Sequence, residues 1–138
     1  MDAKRLLTGT LVGAVTQIIV GGLIFRFFFS DFYAANSEGV PGISRDVVIL
    51  WAAILGHCSL ACLLTLAVWK MDSATLLRGM MVGAVVGFLA WFGFDFIQFA
   101  ATHRFNLTAT ILDPFLEIVR MGASGAMIGL VLGKLSQE

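Results

Sequence analysis

Residues 76–100 read LLRGMMVGAVVGFLAWFGFDFIQFA, an apolar segment with a single acidic residue, Asp95. About 20 apolar residues in a helix are enough to cross the hydrocarbon core of a bilayer, so this segment predicts a transmembrane helix. An ionisable side chain is costly inside such a helix and is usually found where it pairs, lines a water-filled cavity or binds something. Asp95 is therefore a candidate for a functional site.

The composition of the whole chain agrees with a membrane location. The 138 residues are 59% hydrophobic and 13% charged, with a formal net charge of zero, and the mean hydropathy is +0.93. This leaves too little polar surface for a soluble domain. We predict one all-α integral membrane domain with four spans, at approximately residues 6–29, 47–69, 76–101 and 111–132. The neutral balance and the absence of a basic cluster argue against nucleic acid as a partner.

The basic residues predict the orientation of these spans. Cytoplasmic loops are enriched in Lys and Arg. One predicted side of the membrane carries five such residues and the other carries Arg45 and Arg104; the five are Lys4, Arg5, Lys70, Arg78 and Lys134. Both termini are therefore predicted to be cytoplasmic, in a cell (inner) membrane. The first apolar run is too long for a typical signal-peptide core and is interpreted as an uncleaved helix.

Glycines recur every four residues in the first and third spans. Residues 6–15 and 76–85, LLTGTLVGAV and LLRGMMVGAV, match at seven of ten positions. The match favours a duplicated two-helix hairpin, a parallel repeat, over chance similarity between apolar helices. Small residues at this spacing allow two helix backbones to approach closely. We therefore predict that Gly9 and Gly13 pack against Gly79 and Gly83.

Polar residues cluster at the predicted outer ends of the third and fourth spans. Trp91 and Asp95 continue the glycine face of the third span, and Gln98 lies close to it. Asp113, Glu117 and Arg120 are spaced to lie on one face of the fourth span. In that span Pro114 fits the first turn after an Asp113 cap, and Gly122, Gly125, Gly129 and Gly133 follow as a packing surface. The prediction is a polar pocket that opens to the outside.

Arg26 lies near the outer end of the first span. It can snorkel to water or turn inward to a carboxylate, and both interpretations stay open. Gln17, in the glycine face of the same span, is interpreted as an interhelical hydrogen bond. The long connector that follows the span contains a Pro-Gly turn, and it predicts a cap for the second span at Ser44 or Asp46.

The second span places His57 near mid-membrane, followed by Cys58 and Cys62. A buried His usually hydrogen-bonds a neighbour, but His57 would join a proton relay if Asp95 or Glu117 were within reach. One ring nitrogen and two sulfurs on adjacent turns do not reproduce a familiar ligand spacing. The cysteines are therefore interpreted as packing residues, and neither a metal site nor a cofactor is predicted.

A resemblance covers mainly residues 79–133. Residues 87–119 read GFLAWFGFDFIQFAATHRFNLTATILDPFLEIV, and residues 125–133 read GAMIGLVLG. This pattern resembles small four-span bacterial membrane proteins of unknown function, in which an aromatic–Asp motif and a short loop precede an Asp that opens the fourth helix. Those two positions correspond here to Asp95 and Asp113, and the first half of the chain departs from the pattern. The resemblance implies fold and location, and no activity.

Two classes of function follow from these observations. In the first, a pocket lined by Asp95, Gln98, Glu117 and Arg120 binds or transports a small polar or amphiphilic solute, or protons. In the second, the protein is a non-catalytic accessory subunit whose charges form structural ion pairs. The convergence of polar residues at one depth favours the first class. An enzyme is not expected because no nucleophile–base arrangement or phosphate loop is visible, and we expect a homo-oligomer or a partner membrane protein.

Overall fold

The structure, a computed structural model, describes residues 2–37, 45, 47–70 and 74–136. Within these residues the chain forms five α-helices and one π-helical segment: α1 (Ala3–Gly21), the π-helical segment (Gly22–Phe28), α2 (Ser30–Asn36), α3 (Leu50–Trp69), α4 (Leu76–Ala101) and α5 (Leu107–Leu135). Four helices are long and apolar enough to cross a membrane: Ala3–Phe28, α3, α4 and α5. The prediction of an all-helical protein with four candidate spans is confirmed.

The helices form a bundle in which α5 is the central element. α4 packs along one side of α5, α1 packs along another, and α3 packs mainly against α1. The first turn of α1, the last turns of α3 and α5 and the start of α4 lie at one end, called here the proximal end. The opposite, distal end holds α2 and residues 102–106, which connect α4 to α5. The apolar core fills the proximal half of the bundle and contains Leu64, Val68, Met121, Ile128 and Leu132.

Helix α5 begins one turn earlier than predicted. Asn106 is its N-cap, and the Asn106 side chain accepts a hydrogen bond from the backbone N–H of Ala109 at 3.1 Å. The prediction of an Asp113 cap is therefore wrong, because Asn106 satisfies a free N–H group of the first turn. Pro114 lies inside the helix and removes one backbone donor. Asp113 is left with its carboxyl group available for tertiary contacts.

Helix α3 begins at Leu50, three residues after the predicted start of the second span. Its N-cap residue, Ile49, makes no side-chain capping hydrogen bond. The predicted caps Ser44 and Asp46 lie outside the described residues.

The closest helix contact joins α4 to α5. A Cβ atom added at Gly83 would lie 2.8 Å from the carbonyl carbon of Met121 and 3.2 Å from Cα of Gly122. Likewise, a Cβ at Gly79 would overlap the backbone of Gly125. The predicted packing role of the glycines in the fourth span is confirmed. Gly125 and Gly129 pack against Gly79, while Gly122 contacts Met80 and Gly133 contacts the backbone of Ala74.

The prediction that the first and third spans meet through their glycines is wrong. Gly9 faces the side chain of Thr65, and Gly13 faces Ala61 and Ile128. The physical reason is that α5 carries its own glycine face, so the backbones of α4 and α5 approach more closely than a side-chain-covered surface permits. Gly9 thus faces α3, and Gly13 faces both α3 and α5, whereas Gly79 and Gly83 face α5 alone. The duplication itself stays a prediction.

Candidate functional site

A cavity of about 510 Å³ lies at the distal end, between the π-helical segment, α2, α4 and α5. Its walls carry charged groups of both signs. Six charged residues line it: Arg26, Asp95, Arg104, Asp113, Glu117 and Arg120. The structure therefore gathers most of the predicted site residues around one space.

The deepest charged pair of the cavity is formed within α5. Arg120 Nε donates to Glu117 Oε2 at 2.9 Å, and the two residues are only 7% and 1% exposed. The guanidinium lies 4.8 Å from the ring centroid of Trp91 and 5.7 Å from that of Phe25. Gly21 of α1 makes room for it, since a Cβ there would lie 3.1 Å from Arg120 Cδ. Charge pairing and the aromatic faces together stabilise this buried arginine.

Two carboxyl groups meet at the next level of the cavity. Asp95 of α4 and Asp113 of α5 both line this cavity and the smaller space beside it, so their carboxyl groups are neighbours. The Tyr33 hydroxyl donates to Asp113 Oδ1. The Oδ2 atom of Asp95 is buried and has no hydrogen-bond partner among the described residues. Adjacent carboxyl groups satisfy one another only when they share a proton or face a cation.

Tyr33 belongs to α2, outside the spanning helices. Burial raises its pKa, and the hydrogen bond to Asp113 and the nearby carboxylate charges raise the pKa further. The phenol therefore stays protonated at neutral pH and acts as a donor. Its ring lies 5.5 Å from that of Phe25 and 5.6 Å from that of Phe105.

The wall that carries Tyr33 is pinned to residues 102–106. Asn106 Nδ2 donates to Asn36 Oδ1 at 2.8 Å, and the backbone N–H of Asn106 donates to the Asn36 carbonyl at 3.1 Å. Ser37 and Phe105 form an isolated antiparallel bridge beside this pair. These contacts position α2 over the distal end of the bundle.

Two arginines form the exposed part of the cavity wall. Arg26, in the π-helical segment, is exposed and makes no ion pair with any described carboxylate. Arg104 is also exposed, and its guanidinium lies 5.0 Å from the ring centroid of Phe105. Arg26 thus lines the cavity and is also accessible to water. The sequence offered these as alternatives, snorkelling to water or turning inward to a carboxylate, and Arg26 lies between the two.

Gln98 lies beside the cavity in an adjoining space. This space has a volume of about 20 Å³ and is lined by Asp95, Gln98, Arg104 and Asp113 together with two threonines and four apolar residues. A volume of that size is enough for one water molecule. Gln98 is therefore a neighbour of the two carboxyl groups and not part of the larger cavity wall.

His57 lies outside the cavity. Its Nδ1 atom is 3.4 Å from Gln17 Oε1, and Gln17 Nε2 donates to Ser124 Oγ at 3.3 Å. Ser124 Oγ donates in turn to the Gly13 carbonyl at 3.1 Å. The interpretation of Gln17 as an interhelical hydrogen bond is confirmed. The structure pairs His57 with this amide and not with Asp95 or Glu117, so the condition for the predicted relay is not met.

Tyr33, Arg104, Phe25 and Phe105 were missed in the sequence. None of them lies on the polar faces of the third and fourth spans. Tyr33 is the single tyrosine of the chain, which is the one signal that could have marked it.

No protein-family model, curated protein or solved structure matches the chain. In the described part of the chain, no group of three or more His, Cys, Asp or Glu side chains is spaced to hold a metal ion.

Proposed function

We propose that this protein is a non-enzymatic membrane protein that binds a small polar or amphiphilic solute in the distal cavity, as a binding protein or as one state of a carrier. One observation carries the proposal. The wall of a cavity of about 510 Å³ contains a buried carboxylate oxygen, Asp95 Oδ2, that receives no hydrogen bond from the described residues and whose neighbour is a second carboxyl group. A buried acceptor without a donor is costly, and a bound donor removes that cost.

The pattern of pairing around the cavity supports the same conclusion. In a purely structural network each buried charge would face an opposite charge. Here Glu117 and Arg120 do so at 2.9 Å. By contrast, Asp95 adjoins another acid. The exposed Arg26 and Arg104 line the same cavity and form no ion pair within 4.0 Å among the described residues, so both are open to a ligand as well as to water. The remaining charges point to a ligand that supplies the missing partners.

The tightly packed apolar core of the proximal half limits the routes by which a solute could reach the cavity. Leu64, Val68, Ile128 and Leu132 pack there with no more than 2% exposure. An apolar core of this kind closes the path between the cavity and the proximal end. This favours a site reached from one side over an open pore, and transport would require α4 or α1 to move relative to α5.

An accessory-subunit function is the second candidate. α4 packs mainly through one face, against α5, and its other faces are apolar and exposed, with Leu89 at 63% and Ile97 at 70% exposure. Lipid can cover such a surface, and so can a partner helix. The two candidates differ in what they require of the cavity: solute binding needs water access to it, and a structural role does not.

Cysteine labelling tests water access directly. Trp91→Cys places a thiol in the cavity wall, and Leu89→Cys places one on the exposed apolar face of the same helix, two residues away. Both are made without Cys58 and Cys62 and are treated with a small water-soluble thiol reagent after folding has been checked by circular dichroism. We expect rapid labelling of Trp91→Cys and slow labelling of Leu89→Cys. Equal, slow labelling at both positions would contradict a water-accessible site.

A stability comparison separates binding from structural pairing. Asp95→Asn removes one of two adjacent carboxyl groups, so we expect unchanged or increased thermal stability in detergent. Asp31→Asn is the matched control, because Asp31 is exposed on α2 and does not line the cavity. If Asp95→Asn alone cost several kcal/mol, as the loss of a buried ion pair does, the accessory-subunit function would be favoured.

A further inference from the structure

Besides the Glu117–Arg120 pair, the walls of the distal cavity carry charges of both signs that form no ion pair within 4.0 Å among the described residues. Asp95 and Asp113 contribute adjacent carboxyl groups from α4 and α5. Arg26 and Arg104 contribute guanidinium groups from the π-helical segment and from residues 102–106, and both are exposed. Glu117 and Arg120 neutralise one another and leave no unpaired charge for a ligand. Arg104 also lines, with Asp95 and Asp113, the adjoining space of about 20 Å³. The cavity thus offers acidic and basic groups side by side, close to one another but not ion-paired.

We infer that the cavity binds a zwitterion with a primary ammonium group and an anionic phosphate or carboxylate group, the ammonium at Asp95 and Asp113 and the anion at Arg26 and Arg104. This inference rests on the proposed function and specifies its ligand. A simple cation would leave the two exposed guanidinium groups to water alone, and a simple anion would leave the two carboxyl groups facing one another.

The hydrogen-bonding state of Asp95 selects a primary ammonium group over a quaternary one. Asp95 Oδ2 needs a donor, and a quaternary ammonium has none. Quaternary ammonium groups are bound instead by open aromatic faces. Here Trp91 and Phe25 already face the Arg120 guanidinium, and Phe105 faces that of Arg104. Three of the five aromatic rings that line the cavity therefore face the protein's own guanidinium groups. Of the other two, Tyr33 donates its hydroxyl to Asp113, and Phe94 alone does not form an aromatic cage.

Two sources supply this chemistry, a lipid headgroup and a free solute. Four water-soluble probes test the shared chemistry by calorimetric titration of the protein in an uncharged maltoside detergent: glycerophosphoethanolamine, glycerophosphocholine, ethanolamine and glycerol phosphate. We expect glycerophosphoethanolamine to bind at least about tenfold more tightly than the other three probes. Each of those three lacks either the ammonium donor or the phosphate acceptor, and so loses one charge-assisted hydrogen bond that glycerophosphoethanolamine makes. A short-chain phosphatidylethanolamine then separates the sources: tighter binding than the glycerol analogue indicates a lipid, and weaker binding indicates a free solute.

Variants assign the two ends of the ligand. Arg104→Gln, at an exposed position, should weaken glycerophosphoethanolamine about tenfold and leave ethanolamine unchanged. Asp95→Asn should weaken both of these probes and leave glycerol phosphate unchanged. Asp31→Asn should alter none of them. If Asp95→Asn does not fold, Arg104→Gln still tests the basic end.

Several results would overturn the inference. They are equal or tighter binding of glycerophosphocholine, undiminished binding by Arg104→Gln, and no binding of any probe by the folded protein. None of these results removes the proposed function, which depends on water access at Trp91→Cys. Slow labelling there, together with no binding, would overturn both.

Discussion

The contact between α4 and α5 offers a sharp test of the packing, through Gly83→Ala. A methyl group at this position would lie 2.8 Å from the carbonyl carbon of Met121 and 3.2 Å from Cα of Gly122. Ordinary contacts of a Cβ atom lie at 3.4–4 Å. Because the obstructing atoms belong to the backbone of α5, no side chain can rotate away, and the two helices must separate.

The expected magnitude follows from two opposing terms. Overpacking of a tight contact costs about 1–3 kcal/mol. Replacement of glycine by alanine inside a helix recovers up to about 1 kcal/mol. A recovery of about 1 kcal/mol leaves a net loss of about 0–2 kcal/mol in the free energy of unfolding. We expect the upper end of this range, about 2 kcal/mol, because the obstructing atoms are backbone.

The same helix provides the matched control, Gly93→Ala. A Cβ at Gly93 would meet nothing within 4 Å, so only the gain in helix propensity remains. Thermal unfolding of both variants in one detergent measures the difference. If the two variants unfold at the same temperature, or if Gly93→Ala is the less stable, then α4 does not contact α5 through its glycines and the central place of α5 is incorrect.

Three further outcomes are expected. Single cysteines at Asn106 and at Ala74, in a background without native cysteines, should be labelled from opposite sides of the membrane, and labelling of Ala74→Cys from outside the cell would contradict the predicted orientation. Arg120→Gln should destabilise the protein more than Glu117→Gln/Arg120→Gln, by a few kcal/mol, because the single change leaves a carboxylate buried and uncompensated; equal unfolding temperatures would refute this. Tyr33, the single tyrosine, should form tyrosinate only well above its ordinary pKa of about 10, as followed by ultraviolet absorbance, and Asp113→Asn should bring that titration to lower pH. Since folding raises the pKa of Tyr33, its contribution to stability is complete below about pH 10 and is lost as the pH rises further.

Part of the candidate site could be predicted because intramembrane charge is rare. Asp95, Glu117 and Arg120 stand out in apolar helices whatever the fold, since a charge there needs a partner or a cavity. Helical spacing also placed Glu117 and Arg120 on one face, and they form an ion pair across that face. The pairing of Asp95 with Asp113 could not be derived, because it depends on the crossing of α4 and α5 near their distal ends.

The connector residues show the limit of periodicity. Tyr33, Asn36, Arg104 and Asn106 meet because the short helix α2 folds back onto residues 102–106. Hydrophobic periodicity reports which face of a regular helix is apolar. It does not report where a polar connector turns, and these four residues lie outside the predicted regular spans.

The helical class, the four candidate spans and the small-residue faces were determined by the sequence alone, because hydropathy and residue size act locally along each helix. Which faces meet was decided by the tertiary structure. In a segment such as α4 nearly every face is apolar, so burial does not distinguish its neighbours, and the choice depends on steric fit between backbones. Gly79 and Gly83 pack closely against the backbone of α5 at its glycines. Gly9 and Gly13 instead lie against the side chains of Thr65 and Ile128. The same fit brings Asp95 to Asp113 and creates the cavity between them and α2.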